Sequence, residues 1–283
     1  MKGPAALEGT TRARPGAFGF LTDTTLCIGC KACEVACKQW NQLPMDDFGF
    51  TGMSYDNTGD LGATTWRHVA FIERISDREG RRPTTLAPFQ SNWLMLSDVC
   101  KHCVHAGCME ACPTGAIIRT EFDTVVIQQD ICNGCGYCVP ACPFGVPALS
   151  PLDGKAHKCT LCYDRLKDGL EPACAKACPT DAIQFGPVHA LMDRARERVS
   201  ELRTQGVEAR IYGDQALGGT GGIGGLNAFF ILTAPPEVYN LPAKPELPQR
   251  RVLPAFLTTA LAALALGIAT LFSFRRVGRM QHG

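Results

Sequence analysis

The chain has 283 residues, of which 46% are hydrophobic, so it is long enough to bury one or two cores without help from disulfide bonds. Its 28 basic and 27 acidic side chains give a formal charge of +1. This balance excludes the positive excess expected of a nucleic-acid-binding protein.

The N-terminal segment 1–20 lacks the apolar stretch of a secretory signal. Arg12 and Arg14 are separated by Ala13, so they are not the adjacent pair of a twin-arginine signal either. We therefore expect no export signal in this chain.

Sixteen cysteines follow, and they fall into four groups of four. The groups are Cys27, Cys30, Cys33 and Cys37; Cys100, Cys103, Cys108 and Cys112; Cys132, Cys135, Cys138 and Cys142; and Cys159, Cys162, Cys174 and Cys178. Disulfide frameworks are typical of small secreted domains, and C-x2-C neighbours are awkward to pair with distant partners, so disulfide bonds are disfavoured.

An insertion, residues 38–99, separates the first two groups. Within it, WRHVAFIERI and NWLML predict strands. Trp40, Trp66 and Trp93 lie in or beside the insertion, and we expect them to pack in the core or at an interface.

The cysteine groups end in a repeated phrase, which reads ACPTGAI, ACPFGVP and ACPTDAI, with VACKQW as a degenerate copy. Between groups two and three, AIIRT and TVVIQ flank EFD and predict a hairpin. Cysteines, hairpin and cysteines form the layout of a two-cluster ferredoxin. We predict an α+β fold with two ferredoxin-like dicluster units, one inserted in the other, within a four-cluster domain over 1–250. The outer unit is expected at 18–40 and 155–186, and the inner unit at 90–150.

Residues 187–250 predict a helix, a strand and a proline-rich extended tether. Leu191, Ala195, Val199 and Leu202 form the apolar stripe of the helix. Gly219, Gly221 and Gly224 satisfy G-x-G-x-x-G, but LNAFFIL after them reads as a strand, so a dinucleotide site is not indicated. We predict a transmembrane helix over 252–274, bracketed by arginines, and a tail over 275–283.

Spacing C-x2-C-x2-C-x3-C-P is typical of [4Fe–4S] binding, with three thiolates from one loop and the fourth cysteine ligating the other cluster of a pair. Sixteen thiolates would hold four such clusters. Groups two and four have longer spacings, and zinc is the alternative for them. No catalytic residues are indicated. Four basic residues beside the cysteines either raise cluster potentials or are ordinary solvated lysines: Lys31, Lys38, Lys101 and Lys158.

The motifs CIGCKACEVACKQWN, YDN, CGYCVPACPF, KCTLCYDR and EPACAKACPT, with the single C-terminal helix, resemble the iron–sulfur (beta) subunit of membrane-bound, molybdopterin-dependent formate dehydrogenase. The resemblance covers nearly the whole chain. It implies a first cluster on Cys27, Cys30, Cys33 and Cys178, and a second on Cys37, Cys159, Cys162 and Cys174. It implies a third on Cys100, Cys103, Cys108 and Cys142, and a fourth on Cys112, Cys132, Cys135 and Cys138.

In that family, the clusters conduct electrons from a molybdopterin (Mo or W) catalytic subunit to a membrane cytochrome b and the quinone pool. The resemblance therefore implies an electron-transport subunit of an oxidoreductase in anaerobic respiration, anchored in the cell membrane by one helix. The marginal excess of arginines after that helix favours an extracytoplasmic cluster domain. The alternatives are the equivalent subunit of another molybdopterin oxidoreductase or of a membrane hydrogenase, and, from another class, a zinc-stabilised interaction scaffold.

Overall fold

The computed structural model of the chain describes residues 16–45, 52, 55–56, 58–73, 93–214 and 222–280, with the side chains of the last helix described to residue 272. Some of the sequence features discussed above lie outside the described residues. They are residues 1–15 of the N-terminal segment in which no export signal is expected, Asn57 of the YDN motif, and Gly219 and Gly221.

Ten strands and seven helices make up the described part of the chain. The strands are β1 (Phe18–Asp23), β2 (Arg67–Glu73), β3 (Trp93–Val99), β4 (Ile117–Arg119), β5 (Val125–Ile127), β6 (Ala148–Leu149), β7 (Ala156–His157), β8 (Ile183–Pro187), β9 (Arg210–Tyr212) and β10 (Ala228–Leu232). The helices are α1 (Ala32–Asn41), α2 (Gly107–Glu110), α3 (Cys138–Ala141), α4 (Tyr163–Lys167), α5 (Ala173–Lys176), α6 (Val188–Thr204) and α7 (Val252–Met280).

The largest sheet has the strand order β8-β1-β10-β9. β1 is antiparallel to β8, with Phe20 opposite Phe185, and parallel to β10, with Leu21 opposite Phe229. β10 is apolar and fully buried, as expected of a central strand. The prediction that LNAFFIL forms a strand is therefore confirmed.

Helix α6 packs on this sheet through the apolar stripe that the sequence predicts. Its four members are buried: Leu191, Ala195, Val199 and Leu202. They share a core with Phe229, Phe230 and Ile231 of β10. Burial of such a stripe stabilises the helix more than its intrinsic propensity does.

Three two-stranded hairpins complete the strands: β2–β3, β4–β5 and β6–β7. In β2–β3, Arg67 lies opposite Val99 and Glu73 opposite Trp93. In β4–β5, Ile117 lies opposite Ile127. These pairings confirm the strands predicted within the insertion and the hairpin predicted between the second and third cysteine groups.

The proline-rich segment differs from the extended tether that its composition predicts. Pro236–Tyr239 form a turn of 3₁₀ helix, and Tyr239, Leu241 and Leu247 are buried in the core beneath α6 and β10. Tyr239 also accepts or donates a hydrogen bond at its hydroxyl, 3.1 Å from Thr233 Oγ1. The apolar side chains between the prolines supply the burial that a solvated linker lacks.

Helix α7 begins at Val252, as predicted, and continues past Phe274 to Met280. Within the described residues, Pro248–Phe272 is the one segment that is long and apolar enough to cross a membrane, and none of its window is buried against the rest of the chain. The fold is thus a mixed α and β structure followed by one apolar C-terminal helix, compatible with a single membrane anchor.

Candidate metal centres

All sixteen cysteines belong to the described part of the chain, and none forms a disulfide bond. Cys30 and Cys135 are exposed. Eight are buried: Cys33, Cys37, Cys100, Cys108, Cys138, Cys159, Cys162 and Cys174. Burying so many unpaired thiols is unusual unless their chemistry is needed.

The first set surrounds a cavity lined by Cys27, Cys30, Cys33 and Cys178. Three of these cysteines come from the turn before α1 and from α1 itself, whereas Cys178 follows α5, which packs against α1. Gly29 has a φ of +69° in this turn, and a Cβ there would collide with the ring of Phe71. Glycine is therefore required at that position.

The second set lies where α1 and α5 meet, and its members are Cys37, Cys159, Cys162 and Cys174. Burial raises the pKa of Cys37, and the nearby thiolates of Cys174 and Cys162 add to the increase. Burial also raises the pKa of Cys159 well above its usual value, with Cys37 as its strongest thiolate neighbour. Helices α1 and α5 thus bring together cysteines that are far apart in sequence.

The third set lines a second cavity, and its members are Cys100, Cys103, Cys108 and Cys142. Cys108 lies in α2 and Cys142 directly follows α3, and these two short helices pack together. Gly107 allows this contact, because a Cβ there would overlap the carbonyl oxygen of Ala141. Burial raises the pKa of Cys103 well above its usual value, and the other three thiolates add to the increase.

The fourth set comprises Cys112, Cys132, Cys135 and Cys138. Burial raises the pKa of Cys138 to about 11, and the thiolates of Cys132, Cys135 and Cys112 add to the increase. Around Cys112, burial is outweighed by the Thr114 hydroxyl and by backbone N–H groups that include that of Ile117, which together lower its pKa. Hydrogen bonds of this kind stabilise a thiolate, the form that binds metal.

Cysteines of consecutive sets lie close enough to affect one another's pKa values. Burial raises the pKa of Cys33 to about 11, and Cys174 of the second set contributes to the increase. Cys100 of the third set likewise contributes to the raised pKa of Cys159, after burial. Burial raises the pKa of Cys108 to about 12, with Cys138 of the fourth set as a further contributor. The first set is thus a neighbour of the second, the second of the third, and the third of the fourth, and we call this order a row. The two exposed cysteines belong to its first and last members.

Four nitrogen-containing side chains are almost fully buried beside these sets: Arg67, Lys101, His102 and Lys158. Lys158 Nζ donates to the carbonyl oxygen of Val125 and to that of Cys159 at 3.1 Å. Lys101 Nζ binds the carboxylate of Asp98. Ordinary solvation is thus the wrong interpretation for Lys101 and Lys158, which lie inside the protein.

Two of these side chains keep buried N–H groups that have no acceptor among the residues that the structure describes. The backbone N–H of Val125 donates to His102 Nδ1 at 3.0 Å, so the ring proton of a neutral His102 is on Nε2. Within the described part of the chain, His102 Nε2, Arg67 Nε and Arg67 Nη2 have no hydrogen-bond partner. A buried donor without an acceptor costs about 1–3 kcal/mol. The sulfur atoms of a bound iron–sulfur cluster are suitable acceptors, so these residues fit such a group.

A single metal ion fits the cysteine sets less well. Among the described residues, which include every cysteine, no three His, Cys, Asp or Glu side chains come together in a way that could hold one metal ion. Thiolates that surround a cavity are suited to a larger, polynuclear group. Cys142 of the third sequence group lines the cavity of Cys100, Cys103 and Cys108, and Cys178 of the fourth lines that of Cys27, Cys30 and Cys33. The second and fourth groups are therefore divided between sites, which argues against a zinc site made from either group alone.

Comparison with known proteins identifies the polynuclear group that these cysteines bind. The family described as "4Fe-4S dicluster domain" matches residues 91–188, and that described as "4Fe-4S binding domain" matches residues 24–42. The formate dehydrogenase-O iron–sulfur subunit of Escherichia coli is 42% identical over 231 residues, which are 80% of this chain and 71% of that protein. The formate dehydrogenase iron–sulfur subunit of Haemophilus influenzae is 38% identical over 252 residues, 87% of this chain and 75% of that protein.

The chain belongs to the formate dehydrogenase iron–sulfur subunit family. The B subunit of the anaerobic dimethyl sulfoxide reductase of E. coli is also similar, at 33% identity over 174 residues, 62% of this chain and 75% of that protein. The resemblance and the presence of multiple [4Fe–4S] clusters, both predicted from the cysteine motifs, are thereby confirmed.

The sequence alone does not predict the roles of Arg67 and His102. A local signal for His102 exists, since it lies within a C-x2-C pair, although an isolated histidine is more often an ordinary surface or core residue. No such signal exists for Arg67, because its burial against distant cysteines depends on how the β2–β3 hairpin packs.

Proposed function

We propose that the chain is the electron-transfer subunit of a membrane-bound formate dehydrogenase complex, holding four [4Fe–4S] clusters. The observation that carries the proposal is the row of four sets of four thiols in a family whose named relatives are formate dehydrogenase subunits. When bound, each cluster accepts and releases one electron at a time. The protein around the clusters excludes water, fixes their spacing and supplies charges.

The proposed ligand sets are those implied by the resemblance. The first and third are supported by the two cavities, which are lined by four cysteines each. The second and fourth are supported by the mutual effects of their thiolates on one another's pKa values. In each set, three cysteines come from one sequence group and the remaining cysteine comes from another, as expected of cluster pairs that exchange ligands.

We also propose the nested arrangement of two dicluster units. β1 precedes the first cysteine group and β8 follows the fourth, and the two strands pair over Phe18–Thr22 and Ile183–Pro187. This pairing supports an outer unit made from both ends of the cysteine region. The β4–β5 hairpin, between groups two and three, supports an inner unit that is continuous in sequence.

The fourth set is the proposed membrane-proximal end of the row. Helix α3, which carries Cys138, packs against the turn Pro248–Arg251 that leads into α7. Gln249 Nε2 donates to the carbonyl oxygen of Gly107 at 2.8 Å, which ties the start of the membrane helix to α2. We therefore assign the fourth set to the side of the membrane cytochrome b and the quinone pool.

The first set is then the proposed contact site of the molybdopterin (Mo or W) catalytic subunit. Cys30 is exposed, and Ile28 and Val35 nearby in sequence are 60% and 66% exposed. Exposed apolar side chains around a redox centre suit docking of a protein partner. Two arginines precede the apolar segment 252–274 and three follow it, with Arg279 as the additional one, and this excess favours an extracytoplasmic cluster domain.

The test is formate-dependent reduction of the isolated complex. The subunits that copurify with this chain are identified by mass spectrometry, and the iron–sulfur signals are followed by electron paramagnetic resonance after addition of formate. We expect a molybdopterin subunit and reduction of the clusters by formate. Oxidation of pre-reduced clusters by dimethyl sulfoxide, without reduction by formate, would instead favour the second candidate, a dimethyl sulfoxide reductase subunit, which the similarity to the E. coli B subunit supports.

A further inference from the structure

Arg67 is among the largest fully buried side chains in the described part of the protein, with 1% of its surface exposed. Its guanidinium carbon lies 4.8 Å from the centre of the Phe20 ring. It forms no salt bridge with a described carboxylate. A buried cation is stable only when negative charge and hydrogen-bond acceptors surround it.

The negative charge available to Arg67 comes from cysteines of the first and second sets, which belong to the outer dicluster unit. Burial alone lowers the pKa of Arg67, but the thiolates of four cysteines outweigh it and raise the pKa above its usual value: Cys174, Cys33, Cys159 and Cys37. Cys33 belongs to the first proposed set, and the other three belong to the second. Phe20, whose ring contacts the guanidinium, packs in the same buried cluster as Cys33 of the first set and Cys159 and Cys174 of the second, so Arg67 lies beside both sets.

A hydrogen-bond relay connects Arg67 to the first set. Arg67 Nη1 donates to Ser97 Oγ at 3.0 Å, and Ser97 Oγ lies 3.3 Å from Cys33 Sγ. When Cys33 is a thiolate, the form that binds metal, it has no proton to donate, so the Ser97 hydroxyl donates to its sulfur. Arg67 Nε and Nη2 remain as donors without an acceptor among the described residues.

We propose that Arg67 raises the reduction potentials of the two clusters of the outer unit, acting as a shared positioning residue with Ser97 as its relay to Cys33. This inference rests on the proposed ligand sets. Reduction adds one negative charge to a buried cluster, and a nearby fixed cation with N–H donors stabilises that charge. The β2–β3 hairpin delivers both residues, which gives the long insertion a function.

The experiment compares the whole complex carrying Arg67→Gln, Arg67→Lys or Ser97→Ala with wild type. Arg196→Gln is the matched control, because it removes the same charge from an exposed position on α6 where 65% of the side chain is accessible. Iron and acid-labile sulfide are measured first, and each cluster is then titrated by electron paramagnetic resonance. Signals are assigned to the outer unit by their loss in Cys27→Ser and Cys162→Ser.

In Arg67→Gln we expect the reduced-to-oxidised ratio of both outer-unit clusters to fall about tenfold at a given ambient potential, which is 59 mV for a one-electron couple. Arg67→Lys keeps the charge and should restore most of that ratio. Ser97→Ala should lower the ratio for the Cys33 cluster alone, and Arg196→Gln should change none.

Unchanged outer-unit potentials in a fully loaded Arg67→Gln complex, or an equal shift of all four clusters, would overturn the proposal. If Arg67→Gln does not load iron, the other two variants test the proposal. A wild-type potential of the Cys33 cluster in Ser97→Ala would reject the proposal. An Arg67→Lys complex that also loads no iron would reject it as well. An error in the proposed ligand sets would be distinguishable from an error in the role of Arg67. It would appear as missing clusters in the wild-type complex, or as loss of the wrong signals in the cysteine variants.

Discussion

Gly134 lies in the loop that carries three cysteines of the fourth set. Its φ is +74°, and a Cβ there would overlap the carbonyl oxygen of Gly154. Gly169 has a similar φ of +70° but open space around a Cβ. The two positions therefore share the conformational requirement for glycine and differ in the collision.

We expect Gly134→Ala to destabilise the protein more than Gly169→Ala does. Both variants carry the cost of a left-handed backbone, about 1–2 kcal/mol, and only Gly134→Ala must also move the backbone around the cysteines. The measurement is iron retained after anaerobic purification, together with the midpoint of thermal unfolding. Equal losses in the two variants would show that the contact with Gly154 is unimportant.

Cys142 belongs by sequence to the third group but lines the cavity of Cys100, Cys103 and Cys108. We expect Cys142→Ser to damage the cluster held by those three cysteines, because a serine oxygen is a poorer iron ligand than a thiolate. Cys138→Ser, four residues earlier, is the matched variant and should damage the cluster of Cys112, Cys132 and Cys135 instead. Electron paramagnetic resonance distinguishes the two signals, and loss of the same signal in both variants contradicts the ligand sets.

At the scale of elements, local pattern is enough to predict the β4–β5 hairpin, strands β2, β3 and β10, and the buried stripe of α6. Each has a periodicity or composition that depends on neighbouring residues only. The position of β10 between β1 and β9 is not predictable in this way, because strand order depends on contacts between distant segments. The same is true of the packed proline-rich segment.

The candidate site is likewise predictable from the sequence only in part. Spacing identifies every cysteine as a candidate ligand, and the repeat indicates cluster pairs. The burial of Arg67 and the unpaired Nε2–H of His102 arise from tertiary packing, so sequence periodicity carries no information about them. Lys101 and Lys158 are recognisable as basic neighbours, but only the fold distinguishes them from the more exposed Lys31.

Helix α7 makes a prediction of its own, because its apolar surface is exposed along the whole described length. Deletion of 252–283 should release the complex from membranes and break electron delivery to quinone, while dye-linked formate oxidation persists. Deletion of 275–283 is the control, since it keeps the apolar segment and should leave the complex in the membrane. Sedimentation with membranes after the longer deletion would refute the anchoring role.

At the scale of the whole molecule, the cysteines are part of the hydrophobic core. Cys33, Cys100, Cys159 and Cys174 pack in one core cluster with Phe20 and Leu161. Cys108 and Cys138 pack in another with Ile117 and Val125. Since thiolates are unfavourable in such surroundings without a bound metal group, we expect cluster binding and folding to be coupled.

The row of cysteine sets has an enclosed interior and accessible ends. Its interior members are surrounded by protein, and its ends carry the exposed Cys30 and Cys135. Enclosure protects the clusters and fixes their environment, whereas the ends are accessible to partner subunits. This arrangement suits the proposed transfer of electrons between two accessible ends of the row.

Iron and acid-labile sulfide per polypeptide give the most direct test of cluster binding. The full-length protein is purified anaerobically in detergent, and both elements are measured against protein determined by amino-acid analysis. Four clusters predict a brown protein with about sixteen irons and an equal amount of sulfide. A colourless protein, or one that holds a few zinc ions and no sulfide, would contradict them.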